Sequence, residues 1–210
     1  MKEITFSDYH TIIAVELRAA LQRYFKTWEK VRAQKPEEQQ LWVAVIEAPR
    51  LTVVLLICSL LESSINFYLS TKHNSGRFKS LERSSLETKW KDLPKEFAQT
   101  YSLPAKSDLH RDLSNLIKRR NAVVHSKPFM NIDGDLRHTG NMPVINLDEH
   151  EFIARSATLP LRLIEHLLEH DPEAMVPLIS LHTCCAGPAV LFKKCEYRLE
   201  NGKKTAGPRQ

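Results

Sequence analysis

Three side chains within six residues of the sequence, Arg120, Asn121 and His125, are of the types needed to act on a phosphodiester. An imidazole transfers protons near neutral pH, and a guanidinium stabilises the negative charge that develops on a phosphoryl group. On a regular helix, residues five apart point about 140° away from each other. Arg120 and His125 therefore meet on one ligand only if the last helical turn before Pro128 frays, or if a second copy of the segment faces the first across a two-fold axis.

Arg120 also stands where helix periodicity demands an apolar residue. A helix wound from Ser107 carries one apolar stripe, and Arg120 lies near its centre. The stripe consists of Leu109, Leu113, Leu116, Ile117, Val123 and Val124. Because a guanidinium is not neutralised in a protein, its burial requires partners. Either this helix end faces a cleft, or an opposite charge lies against it.

The apolar segment 51–70 supplies that opposite charge. Its apolar stripe has Glu62 near the middle, so two helices carry one oppositely charged residue each on their buried faces. We hypothesise that Glu62 and Arg120 form an ion pair that holds the guanidinium in a fixed orientation. The alternative is a buried salt bridge that fixes only the register of the helices.

Helix-start and helix-stop residues predict how the chain positions these groups. We expect helices from Ser7-Asp8 to about Val31, from Pro36 to Pro49, over 51–70, from Ser80 to Pro94, from Ser107 to Ser126, from Asp148 to about His170 with a kink at Pro160, and from Asp171 to about Gly187. The glycine- and proline-containing stretch around 127–147 predicts an irregular loop or a hairpin, with strands near Phe129–Ile132 and Val144–Leu147. The fold class is therefore all-α, a helical bundle with one insertion.

Composition is typical of a soluble globular protein, with 42% apolar and 26% charged residues among 210. We expect one helical domain over residues 1–200 and a disordered tail over 201–210. The longest uncharged apolar run, 51–61, is too short to span a bilayer, and no apolar signal core follows the start of the chain. These features favour a soluble cytoplasmic protein without membrane contact. The net charge of +5 permits an anionic partner without requiring one.

Two groups of residues that include histidines are candidate metal sites. His182, Cys184, Cys185 and Cys195 lack the paired spacing of common zinc sites, and packed cysteines are the alternative. His166 and His170 are four apart on a helix, but no third ligand is evident beside them. The sequence therefore predicts no metal ion and no cofactor.

The motif RNAVVH at 120–125 resembles the hallmark of the HEPN superfamily, in which an Arg and a polar residue precede a His near a helix end. LLICSLLESSINFYL at 55–69 is similar to the apolar helix of that family with its embedded acidic residue. SLETKWKDLP at 85–94 resembles a connecting segment of some bacterial members. Together these segments cover about residues 51–128, which would form the HEPN-like core of an antiparallel helical bundle.

The resemblance implies a metal-independent endoribonuclease that acts as a homodimer in toxin–antitoxin, phage-defence or RNA-processing systems. Arg120 and His125 would be the catalytic pair, Asn121 the supporting polar residue, and Glu62 a further supporting residue. The ribose 2′-hydroxyl would attack the adjacent phosphate and leave a cyclic phosphate end. An antitoxin or other regulatory protein is a further expected partner.

The basic residues around the motif are the expected contacts to RNA. They are Lys118, Arg119 and Lys127. The alternative to a ribonuclease is a non-catalytic interaction or RNA-binding module in which Arg120 is structural.

Overall fold

A computed structural model describes residues 6–34, 43–73, 75–124, 128–130, 136–138, 147–174 and 182. The first helix, α1, spans Phe6–Arg32. Its apolar residues recur every three or four positions, and Leu17, Leu21, Tyr24 and Trp28 are all buried. The predicted first helix is thereby confirmed.

The second helix, α2, spans Val43–Lys72 and is the structural centre of the molecule. Its apolar residues lie on nearly all sides, and most of them are buried, although Val45 and Leu55 are exposed. It contacts every other α-helix among the described residues. The predicted helix end at Pro49 was wrong, since Pro49 lies inside α2. Burial of Ile46 on the preceding turn helps to offset the hydrogen bond that proline removes.

Two short helices follow where one was predicted from Ser80. They are α3, Ser75–Leu81, and α4, Leu86–Lys91, with a 3₁₀ turn over Leu93–Glu96. Ser85 separates them, because its hydroxyl oxygen accepts a hydrogen bond from the Thr88 backbone N–H at 3.1 Å and starts a new helix. Trp90 attaches α4 to α2 by donating from Nε1 to the Leu61 carbonyl at 3.2 Å.

The last two long helices are α5, Asp108–Val124, and α6, Leu147–His170. Both lie close to their predicted bounds, and Pro160 lies inside α6 as expected. After α6, a 3₁₀ turn covers Pro172–Ala174. Asp171 joins this end to α2, since its carboxylate accepts hydrogen bonds from Lys72 Nζ and Tyr68 Oη, each at 2.8 Å.

The predicted insertion between α5 and α6 contains a two-stranded antiparallel hairpin. Strand β1, Pro128–Met130, pairs with β2, Leu136–His138, so that Phe129 lies opposite Arg137. The first strand overlaps the predicted one. The second was misplaced, because Leu147 already belongs to α6.

One cluster of buried side chains unites the helices, from Leu17 of α1 to Ala174. The all-α fold class is confirmed for the described residues. None of their helices is long and apolar enough to cross a membrane. The predicted helix over 36–42, the helix beyond residue 174 and the tail over 201–210 lie outside the described residues.

Candidate functional site

Helix α5 positions the predicted motif. The Ser107 hydroxyl accepts a hydrogen bond from the His110 backbone N–H at 3.2 Å and so begins the helix. Leu113 and Leu116 are fully buried, which fixes the rotation of the helix about its axis. Arg120 follows Leu116 by one turn and lies on the same side. In the middle of α5 the apolar stripe packs into the core. Near the end of the helix the stripe reaches solvent, since Val124 is 51% exposed.

Arg120 is half-buried, and its Nη1 donates to the side-chain oxygen of Asn121 at 3.0 Å. Asn121 is itself exposed. The asparagine therefore orients the guanidinium at the protein surface and does not enclose it. His125 and Lys127 lie outside the described residues, so the predicted catalytic pair is described only on its arginine side.

Glu62 does not form the ion pair expected with Arg120. Its carboxylate oxygen lies 2.9 Å from Nζ of Lys89, a side chain with no exposed surface. Because a buried ammonium is costly without a counter-charge, the Glu62 carboxylate pairs with Lys89. The expectation of a direct Glu62–Arg120 contact was therefore wrong.

Glu62 and Arg120 are nevertheless close enough to act on one group, the thiol of Cys58 on α2. Burial raises the pKa of that thiol to about 12, while the positive charge of Arg120 acts against the rise and the negative charge of Glu62 adds to it. Arg120 therefore faces the α2 side of the bundle. The neutral Cys58 thiol is no nucleophile at physiological pH.

A buried carboxylate that the sequence interpretation passed over lies one residue before Leu113. Asp112 accepts from Arg155 at 3.0 Å and from Arg162 at 2.8 Å, both of α6. Arg162 also donates to the Arg155 backbone carbonyl at 3.1 Å. This ion triad joins α5 to α6 and carries a net positive charge. The seven-residue spacing of the two arginines, which places them on one helix face, was the available signal.

Two of the predicted RNA-contacting residues, Lys118 and Arg119, differ in exposure and in their neighbours. Lys118 is exposed, whereas the guanidinium of Arg119 lies 4.1 Å from the centre of the Phe152 ring on α6. That distance is typical of a cation–π contact. Lys118 is thus available for a phosphate, while Arg119 also contributes to the contact between α5 and α6.

Two histidines pack against the core, His10 buried and His150 half-buried. His10 lies 2.7 Å from the Ser63 hydroxyl, and burial lowers its pKa to about 4. His150 stacks on Trp28 with ring centres 4.7 Å apart. Burial, with a smaller effect of Arg32, lowers the pKa of His150 to about 4 as well. Both imidazoles are therefore neutral at pH 7.

Potential metal ligands lie at the far end of α6. The donor atoms of His166, Glu169 and His170 all lie within 4.8 Å of one another. The earlier interpretation that the two histidines lack a third ligand was wrong, because Glu169 shares their helix face. Of the other proposed set, His182 lies 3.5 Å from Glu165, and its cysteines lie outside the described residues.

The sequence matches no protein-family model, and it has no match among curated proteins or solved structures.

Proposed function

We propose that this chain is a metal-independent endoribonuclease of the HEPN type that acts as a homodimer in a toxin or phage-defence system. The observation that carries the proposal is the state of Arg120. Arg120 is half-buried as a residue, its guanidinium donates to Asn121 in an exposed hydrogen bond, and it lies one turn before the end of α5, five residues ahead of His125. An arginine held at a surface by one neutral partner retains further N–H donors for a phosphate.

In the proposed reaction, the ribose 2′-hydroxyl loses its proton to a base and attacks the adjacent phosphorus. The bond to the 5′-oxygen breaks, that oxygen gains a proton, and a 2′,3′-cyclic phosphate remains. His125 supplies the proton transfer, and Arg120 stabilises the charge on the phosphoryl oxygens. Asn121 limits the rotation of the guanidinium. No step requires a metal ion or a cofactor.

A homodimer supplies the geometry that one regular helix does not. Arg120 of one subunit would meet His125 of the other across the two-fold axis. Val124 supports this arrangement, because an apolar side chain that is 51% exposed beside the motif suits burial by a second subunit. Lys118 would contact the RNA backbone near the same helix end.

The test is incubation of the purified chain with total RNA in EDTA, beside Arg120→Ala and His125→Ala. Arg111→Ala is the matched control, since Arg111 is an exposed arginine of the same helix, paired with Asp108. We expect cleavage by the wild type and the control, and loss of about 100-fold or more in both motif variants. Cleavage that survives either motif substitution would exclude the proposed site.

Mixing the two inactive variants tests the shared site. A mixed dimer of Arg120→Ala and His125→Ala contains one site with both residues intact, so part of the activity returns. If Arg120 and His125 act within one subunit, mixing restores nothing.

The second candidate is a non-catalytic interaction or RNA-binding module. Three apolar residues exposed by more than half on α1, Tyr9, Ile12 and Val15, favour it, because such a cluster is typical of a protein-binding face. A well-folded wild type that cleaves no RNA, with or without an added cell extract, would support this module over the ribonuclease.

A further inference from the structure

The C-terminal end of α6 carries three potential metal ligands on one face. His166, Glu169 and His170 are spaced i, i+3 and i+4, which places their side chains side by side. Their donor atoms lie within 4.8 Å of one another. A tetrahedral zinc ion with bonds of about 2.1 Å needs donors about 3.4 Å apart, so modest side-chain rotation is enough to close the group.

A hydrogen bond from the neighbouring loop orients one of the histidines. Nε2 of His166 lies 2.8 Å from the Ser102 carbonyl oxygen. Because a carbonyl only accepts, Nε2 is the donor in this hydrogen bond, and Nδ1 is the ring nitrogen left for a metal ion. That Nδ1 lies 3.7 Å from a carboxylate oxygen of Glu169. Two acceptors that face each other in this way are suited to sharing a cation.

The second histidine is oriented from the same loop. Nδ1 of His170 hydrogen-bonds the Thr100 hydroxyl at 3.2 Å, which leaves Nε2 for a ligand. Between these two contacts, the ring of Tyr101 packs against both imidazoles, with centres 5.3 and 5.8 Å away. Hydrogen bonds from the non-ligating nitrogen to a carbonyl or hydroxyl are the usual support of metal-binding histidines.

We infer that His166, Glu169 and His170 form a zinc site in which the loop at Thr100 and Ser102 orients the two imidazoles. Two imidazoles and one carboxylate are a ligand set that zinc accepts, with a fourth position left for water. The ion would hold the last turn of α6 together, and its two imidazoles would keep their hydrogen bonds to the loop that leads into α5. The site lies about 20–27 Å along α6 from Phe152, the residue that contacts Arg119, so it is separate from the proposed ribonuclease chemistry.

The test is a zinc titration of the full chain, freed of metal with EDTA and dialysed, against a chromophoric chelator. We expect one zinc ion per chain and a higher melting temperature in its presence. His166→Ala and His170→Ala should weaken zinc binding by about 100-fold or more, and Glu169→Gln by about tenfold. Glu169→Gln also guards against misfolding, because that side chain is 72% exposed.

Two controls separate this site from other ligands. His110→Ala removes a histidine that faces one carboxylate, Glu87 at 3.1 Å, and should leave zinc binding unchanged. Replacement of Cys184, Cys185 and Cys195 by serine should also leave it unchanged. Failure of the wild type to bind zinc at micromolar concentration would overturn the inference. So would wild-type affinity in His166→Ala, or loss of binding in the serine variant.

Discussion

Replacing Glu62 by glutamine tests how the buried ammonium of Lys89 is stabilised. Glu62→Gln keeps the shape of the side chain but removes the charge 2.9 Å from Nζ. Loss of one partner of a buried ion pair costs about 3–5 kcal/mol. Because the Glu62 side chain is 44% exposed, water weakens the pair, and we expect about 2–3 kcal/mol. For a chain of this size that corresponds to a melting temperature lower by about 4–12 °C.

A double-mutant cycle isolates the pair. Lys89→Met fills the same buried space without a charge and leaves Glu62 open to water, so we expect a change within about 1 kcal/mol. In the Lys89→Met background, Glu62→Gln should cost almost nothing, giving a coupling energy of about 2 kcal/mol. Urea unfolding, followed by circular dichroism, measures all four proteins. Additive effects, or a Glu62→Gln variant as stable as the wild type, would refute the reasoning.

Three further predictions concern buried groups. Asp112→Asn removes the negative charge that pairs with two arginines, and should lower the free energy of unfolding by about 1–3 kcal/mol. Urea titration measures this change, and an unchanged midpoint would contradict a stabilising triad. Burial lowers the pKa of His10 from 6.5 to about 4, so its contribution is fully present above pH 6.5 and is lost as the pH falls from 6.5 towards 4. His10→Gln should therefore reduce the loss of stability between pH 7 and pH 4.5 by up to about 3 kcal/mol, and an identical pH profile would argue against it. Burial holds the pKa of Cys58 near 12, so a thiol reagent at pH 8 should label Cys58 only after unfolding, as mass spectrometry of the digested chain can show.

Helix periodicity was sufficient to predict α1, α5 and α6, but not the continuity of α2 or the break at Ser85. α1, α5 and α6 have one apolar face each, so their bounds follow from local pattern. The helix end predicted at Pro49 was wrong because tertiary packing offsets the cost of a proline inside the helix. That packing is not visible in the local sequence pattern. The break at Ser85 was missed because apolar spacing continues across it.

The sequence did not predict how the charged side chains around Arg120 pair. Arg120 was expected near the centre of the apolar stripe, and it is half-buried where that stripe opens towards solvent. The choice of Lys89 as the partner of Glu62 depends on where a six-residue helix docks, and sequence spacing says nothing about that docking. Asp112 was overlooked because a carboxylate at the margin of an apolar stripe resembles a surface residue until two arginines from another helix meet it.

The central place of α2 has a consequence for folding kinetics. Since α2 contacts each of the other five α-helices in the described part of the chain, a partly assembled state without it would lose most of the core described there. Its pairing with α1 closes a short loop, whereas its pairing with α6 must join segments about a hundred residues apart. We therefore expect α1 and α2 to dock before the rate-limiting barrier and α6 after it. Substitutions at Asp112 would then accelerate unfolding and leave the refolding rate nearly unchanged, whereas substitutions at Leu21 would slow refolding.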